Sequence, residues 1–270
     1  MGRPLADCTL SGVRSDFANT RAGIGSRVMA EGDFFTESTV GYWQELTPDV
    51  PARFSPTPPH RFGYPLRLPD GRVLVLPLRQ LPDGSHAVAS LIANQASHLV
   101  VAALADQMAE QARSFAPEIV VGLPTLGLAF ASLVAEGLGH PRFVPLGYSR
   151  KFWYDDALSV PISSITTPEA GRRLRLDPNL LTLIRGRRVV VIDDAISTGS
   201  TAATAVRLLR TIDVEAAGMV VAMKQTRRWE AVLLSAEGPA LPVRGVCGCP
   251  LFERRDDGWW PVTGTQPGVP

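Results

Sequence analysis

Val189-Val190-Val191-Ile192-Asp193-Asp194-Ala195-Ile196-Ser197-Thr198-Gly199-Ser200-Thr201 decides how this chain reads. Four β-branched residues run into two adjacent carboxylates. A turn of small and hydroxylated residues follows, then the alanine-rich stretch Ala202, Ala203, Ala205, Val206, Leu208 and Leu209. The apolar run predicts a parallel strand over 189–192, buried on both faces. In open α/β sheets ligands gather beyond the carboxyl ends of strands, where Asp193 and Asp194 fall. The small side chains of Ala195 to Thr201 let main-chain N–H groups approach an anion closely, and Ser197, Thr198, Ser200 and Thr201 add hydroxyl donors. The helix that begins near Ser200 aims the positive end of its dipole at the same place. Two carboxylates suit the paired hydroxyls of a ribose and can help hold Mg2+, directly or through water. The plain alternative is a strand, an Asp-Asp turn and a Ser/Thr helix cap. A Walker P-loop is excluded, because no Gly-Lys-Ser/Thr closes the turn.

Working outward, the same alternation repeats. Ile119-Val120-Val121-Gly122-Leu123 predicts a buried strand, Ala129–Leu138 a helix ended by Gly139, Phe143–Leu146 a short strand, and Ala217–Met223 a further strand. A helix is expected from Ala87 to Phe115, where apolar residues recur at helical spacing. Strands alternating with helices imply right-handed crossovers and an open, mostly parallel α/β sheet of Rossmann-like form, with helices on both faces. Upstream, Tyr64–Leu68 and Arg72–Leu76 flank a Pro69-Asp70-Gly71 turn and predict a β-hairpin. The expected organisation is an irregular arm over 1–60, a hairpin over 61–86, a core over 87–235 and a tail over 236–270. The five prolines Pro48, Pro51, Pro56, Pro58 and Pro59 rule out regular elements in that part of the arm, whose aromatics should dock elsewhere.

Composition sets the bounds. The chain has 270 residues and is 45% hydrophobic, enough for a full core. Its 27 basic and 26 acidic residues nearly cancel, which argues against a surface built to attract nucleic acid. The beginning of the chain shows no apolar signal core. The uncharged run between Glu118 and Glu136 is broken by Gly122, Pro124 and Gly127, so no membrane span is expected. Cys8, Cys247 and Cys249 make no disulfide framework, and Cys247-Gly-Cys249 lacks a second pair or a nearby His for metal. A reducing cytoplasm fits this cysteine usage.

The 189–201 stretch resembles the phosphoribosyl-pyrophosphate signature of the type I phosphoribosyltransferases. The order of Arg150-Lys151, Ser163-Ser164, Glu169-Ala170-Gly171, Gly186-Arg187-Arg188 and the signature is similar to that of adenine phosphoribosyltransferases. The resemblance spans roughly 87–225. It implies the type I core with a small hood built from the N-terminal hairpin and C-terminal segments. It also implies an enzyme of purine salvage, a homodimer, that transfers the 5-phosphoribosyl group from phosphoribosyl pyrophosphate to a free nitrogenous base such as adenine, with Mg2+. Asp193 and Asp194 would hold ribose hydroxyls and Mg2+, and Ala195, Ile196, Ser197, Thr198, Gly199, Ser200 and Thr201 the 5′-phosphate. Pyrophosphate would lie on Pro124, Thr125, Leu126 and Gly127, in a loop that often carries an unusual peptide geometry, assisted by Arg150 and Lys151. The plain alternative for those two residues is a solvated basic pair, and their place at a strand end favours the functional role. Glu169 would be the acid/base for the base's ring-nitrogen proton, or a solvent-facing carboxylate in the long 152–176 segment, which has the length of a lid. Hood candidates are the 64–76 hairpin, Asn94-Gln95 and Leu251-Phe252 to Trp259-Trp260, although a terminal Trp pair more often docks a tail on a core. Lys224 is a further candidate for the base or the pyrophosphate.

The lid is richer in aromatics (Phe152, Trp153, Tyr154) than the subgroup's usual basic, glycine-rich stretch, which leaves the base open. Two other readings remain beside the enzyme. One is a regulator that senses phosphoribosyl pyrophosphate without turnover, against which stand the missing helix-turn-helix pattern and basic run in the first 60 residues. The other is a transferase with an unusual acceptor.

Overall fold

The computed structural model describes residues 37–162, 172–235 and 240–268. In chain order the strands and helices are β1 (Gly63–Arg67), β2 (Val73–Gln80), β3 (His86–Ala89), α1 (His98–Arg113), β4 (Ile119–Gly122), α2 (Gly127–Gly137), β5 (Val144–Pro145), β6 (Ser159–Pro161) and β7 (Arg173–Arg175). They continue with α3 (Leu181–Ile184), β8 (Val189–Ile196), α4 (Ser200–Arg210), β9 (Ala216–Gln225), α5 (Arg228–Leu234), β10 (Val243–Cys249), β11 (Leu251–Arg255) and β12 (Gly258–Pro261).

The central sheet has the order β10-β9-β8-β4-β5, and every pairing in it is parallel. Its strands are continuous apolar runs because both faces are covered. Successive residues enter opposite cores. Val120, Val190, Ile192 and Val220 pack with α1 and α2, through Leu104, Met108, Phe130 and Val134. Val121, Val189, Val191 and Val221 pack with α4, through Ala202, Ala205, Leu208 and Leu209.

A second sheet is antiparallel, in the order β1-β2-β3-β11-β12. The N-terminal hairpin thus shares one sheet with the C-terminal segments, the hood expected from the resemblance. Leu74, Leu76 and Leu78 of β2, Phe252 of β11 and Trp259 of β12 are buried in the same core as α1 and α2. Trp259 is 1% exposed, so the tail is docked through this ring. The described part of the arm docks as well. Tyr42 and Trp43 are buried, and the Trp43 indole N–H donates to the Ser90 carbonyl at 3.0 Å. Among the described residues no helix is long and apolar enough to cross a membrane.

Two expectations need correction. Residues 87–89 belong to strand β3, residues 93–95 form a 3-10 turn, and the helix begins only at His98, capped by the Ser97 hydroxyl, which accepts from the Val100 N–H at 3.2 Å. The partners that make 87–89 a strand, Leu78–Gln80 and Leu251–Phe252, come from two other parts of the chain. The second correction lengthens β8: its pairing with β9 continues past the acids to Ile196 opposite Lys224.

Candidate active site

The site forms where β8 leaves the centre of the parallel sheet. Asp193 is 7% exposed, and its Oδ1 accepts from the Asp194 main-chain N–H at 2.9 Å. Burial pushes the Asp193 carboxyl well above the usual carboxylate range, and the charge of Asp194 pushes the same way. Burial raises Asp194 too. Two partly dehydrated carboxylates side by side are short of positive partners. Ligand hydroxyls or a cation placed here would relieve both.

Beyond the acids, Ala195 to Ala202 curve around a cavity of about 140 Å³ that Asp193 and Met219 also line. Gly199 holds φ at +82°, and a Cβ there would lie 3.2 Å from the Trp229 main chain. Glycine is therefore required twice, by conformation and by the close approach of α5. No side chain caps α4. Apart from the Ser200 N–H, which reaches the Thr198 hydroxyl at 3.4 Å, its first-turn N–H groups are left for an anion. The Thr198 and Ser200 hydroxyls lie 3.0 Å apart at the mouth of the cavity.

The neighbouring strand β4 ends in a second loop. Its Pro124–Thr125 peptide is cis, the unusual geometry that the resemblance implied. The loop enters α2 at Gly127, where a Cβ would stand 2.6 Å from Asp193 Oδ1 and 2.8 Å from Asp193 Cα. The start of α2 is thus pressed against the acid pair, and only a glycine fits between them. The Tyr148 hydroxyl donates to the Pro124 carbonyl at 2.8 Å. Tyr148 comes just after β5, whose end is tied to β4 by the Leu146 N–H donating to Gly122 O.

Asp193 and the 195–201 turn line one cavity, Asp194 follows Asp193 in the same strand, and Gly127 packs on Asp193. Arg150 of the basic pair is engaged by a carboxylate. The Arg150 guanidinium lies 3.1 Å from Asp156, which also holds Arg175 at 2.9 Å. Among the described residues no hydrogen bond links Arg150 or Lys151 to 124–127. Glu169, Ser163, Ser164 and Gly171 lie outside the described residues, as does Cys8. Arg172 is described: its guanidinium sits 3.8 Å from the centroid of the Tyr148 ring. Tyr148, Arg172 and Trp229 were not singled out from the sequence. A polar aromatic three residues beyond the carboxyl end of β5 was the available signal for Tyr148.

A profile of the phosphoribosyl transferase domain matches residues 87–235, over half of the chain. The chain belongs to this family. Over 115 residues it is 36% identical to an adenine phosphoribosyltransferase of Novosphingobium aromaticivorans, covering 41% of this chain and 58% of that protein. Over 137 residues it is 30% identical to the adenine phosphoribosyltransferase of Thermosynechococcus vestitus, covering 51% and 75%. The chain therefore spans just over half the length of the first relative. A crystal structure of adenine phosphoribosyltransferase from Leishmania tarentolae superposes with a TM-score of 0.44 at 21% identity, covering 56% of this chain and 72% of that one.

In this phosphoribosyl transferase domain, metal holding would be a shared task. Among the described residues no three His, Cys, Asp or Glu side chains cluster as a cation cage. The donor set fits Mg2+ only if water or ligand oxygens complete what Asp193 and Asp194 begin. Cys247 and Cys249 are buried free thiols in β10. Lys224, at the end of β9, is 5% exposed and donates to the Gly268 carbonyl at 3.1 Å. A larger cavity of about 520 Å³ lies elsewhere, between residues 37–54 and β2, and shares no lining residue with the acid pair's cavity.

Proposed function

We propose that the protein transfers the 5-phosphoribosyl group of phosphoribosyl pyrophosphate to a nitrogenous base and releases pyrophosphate, with adenine as the first candidate acceptor. One observation carries this reading. The buried Asp193, with the half-buried Asp194 beside it, lines a hydroxyl-bearing cavity at a helix N-terminus that has no side-chain cap. That places acceptors for ribose hydroxyls beside donors for a phosphate. Family membership and the names of the two relatives support it.

In this reading Asp193 and Asp194 orient the ribose, and Ala195 to Thr201 take the 5′-phosphate. The main chain of Pro124, Thr125, Leu126 and Gly127 faces the pyrophosphate. Mg2+, held by Asp193 and Asp194 together with ligand oxygens, would neutralise pyrophosphate charge. During transfer the bond from the ribose anomeric carbon to pyrophosphate breaks, its electron pair leaves with the pyrophosphate oxygen, and the base nitrogen supplies the new bond. Glu169 stands as the group that takes the base's ring proton. The antiparallel hood, with β1–β3, β11 and β12, is the proposed base-recognising side. A homodimer in the cytoplasm, acting in purine salvage, completes the proposal.

The test is a panel of free bases with phosphoribosyl pyrophosphate and Mg2+, read by pyrophosphate release and by the nucleotide formed. Release with adenine supports the reading. Tight binding of phosphoribosyl pyrophosphate without release from any base would replace the enzyme with a sensor.

A further inference from the structure

The loop assigned to pyrophosphate has no charge of its own: it is Pro124, Thr125, Leu126 and Gly127. Pyrophosphate carries several negative charges and gains more as it departs, so main-chain amides alone leave it underneutralised. Arg150 is held by Asp156, which Arg175 also engages. The structure places another guanidinium on the side chain that holds the loop. Tyr148 stands between the two parts of the site. Its hydroxyl holds the Pro124 carbonyl at 2.8 Å, and its ring carries Arg172 at 3.8 Å. The Arg172 main chain is fixed in turn, its carbonyl accepting from the Ile162 N–H at 3.1 Å. Burial raises the Tyr148 phenol, Arg172 pulls it down, and the charges of Asp193 and Asp194 add smaller upward pushes, so the four groups feel one another.

We propose that Arg172, seated on the face of Tyr148, is the cation that receives the pyrophosphate, and that Tyr148 is the positioning residue that aligns this cation with the Pro124–Gly127 loop. The proposal rests on the reading of phosphoribosyl pyrophosphate as the donor. A guanidinium presents a planar fork that matches two phosphate oxygens, and stacking on an aromatic face fixes the plane of that fork in advance. The electron pair of the breaking bond goes to the pyrophosphate oxygen, so the charge that Arg172 meets grows along the reaction. Its contribution is therefore larger in the transition state than in the bound donor. Tyr148 acts through other groups: the hydroxyl fixes the loop and the ring fixes the cation.

Calorimetric titration of the full chain with Mg2+ and three probes separates the possibilities. The probes are phosphoribosyl pyrophosphate, inorganic pyrophosphate and ribose 5-phosphate. Arg172→Gln is expected to weaken the first two by about tenfold or more, the scale of a lost charge-assisted contact, and to leave ribose 5-phosphate within about twofold. Tyr148→Leu, which loses ring and hydroxyl, should follow the same pattern. Tyr148→Phe, which keeps the ring, should recover much of the pyrophosphate affinity. In turnover with an accepted base, Arg172→Gln should lower kcat while KM for the base holds. The proposal is overturned if Arg172→Gln binds pyrophosphate as the wild type does, or if it loses ribose 5-phosphate equally, which would make Arg172 a support of the fold. If the wild type itself binds none of the three probes, the donor reading falls and takes the proposal with it.

Discussion

Two loops of the same topology meet at this site and work in opposite ways. Each leaves a strand of the parallel sheet and enters a helix, β4 into α2 and β8 into α4. The β8 loop is open. It surrounds a cavity with its own hydroxyls and main chain, and its glycine gives way to Trp229 behind it rather than to the cavity. The β4 loop is closed onto the protein. Its glycine is pressed on Asp193, and its proline carbonyl is held by a tyrosine from beyond the next strand. One loop carries its chemistry in its own sequence, and the other borrows it through packing.

The acid pair between the loops gives the largest expected effect. Asp193→Asn combined with Asp194→Asn should weaken phosphoribosyl-pyrophosphate binding at least about a hundredfold, the scale of losing more than one charged hydrogen-bond partner, while circular dichroism keeps the folded spectrum. Unchanged calorimetric binding would break the assignment of the β8 loop as the donor site.

Gly127→Ala comes next and tests the closed loop. The new Cβ would meet a carboxylate oxygen and a main-chain Cα inside 3 Å, and the main chain of β8 at the centre of the sheet cannot swing aside. Overpacking of this kind costs about 1–3 kcal/mol, so chemical denaturation should show a loss in that range together with weaker ligand binding. A neutral Gly127→Ala would mean that α2 can retreat from Asp193, and the contrast between the loops would weaken. Gly199→Ala tests the open loop and should cost less, about 1–2 kcal/mol, for a side chain forced into the left-handed region. Its clash is at 3.2 Å with Trp229, not with the acids. Ligand affinity should therefore change less per unit of lost stability than in Gly127→Ala.

The same contrast explains what could be read from the chain. The sheet was legible because β4, β8 and β9 are local runs whose burial on two faces dictates their composition. The β8 loop was legible because donors, glycine and helix are contiguous. Residues 87–89 were misread as helix because their strand partners lie in β2 and β11, the latter more than 160 residues away. The pairing of Arg150 with Asp156 was equally invisible, since two adjacent cations in a row do not announce which carboxylate holds them. Gly127 was legible as part of a tight loop but not as the residue that lets α2 reach Asp193, and Tyr148 looks ordinary until its hydroxyl is seen on the Pro124 carbonyl.

The smallest effect concerns the charge of the acid pair without ligand. Burial lifts both carboxyls above the ordinary aspartate value of 3.8, and the charge of Asp194 lifts Asp193 further, well above it. Between 3.8 and these raised values the folded protein holds more protons than the unfolded chain, so its stability falls as pH rises through that window. The pair's contribution is fully present below 3.8 and lost above the folded-state values. Asp193→Asn keeps an oxygen for the Asp194 N–H and removes one buried charge. The ligand-free variant should therefore be more stable than the wild type at neutral pH by about 1 kcal/mol, with a flatter pH dependence above 3.8, since unpaired buried charge is costly. Denaturant titrations of both proteins at several pH values measure the slope directly. A variant that loses stability at neutral pH would show that the neighbouring start of α2 already compensates the Asp193 charge, and that the closed loop serves the acid pair before any ligand arrives.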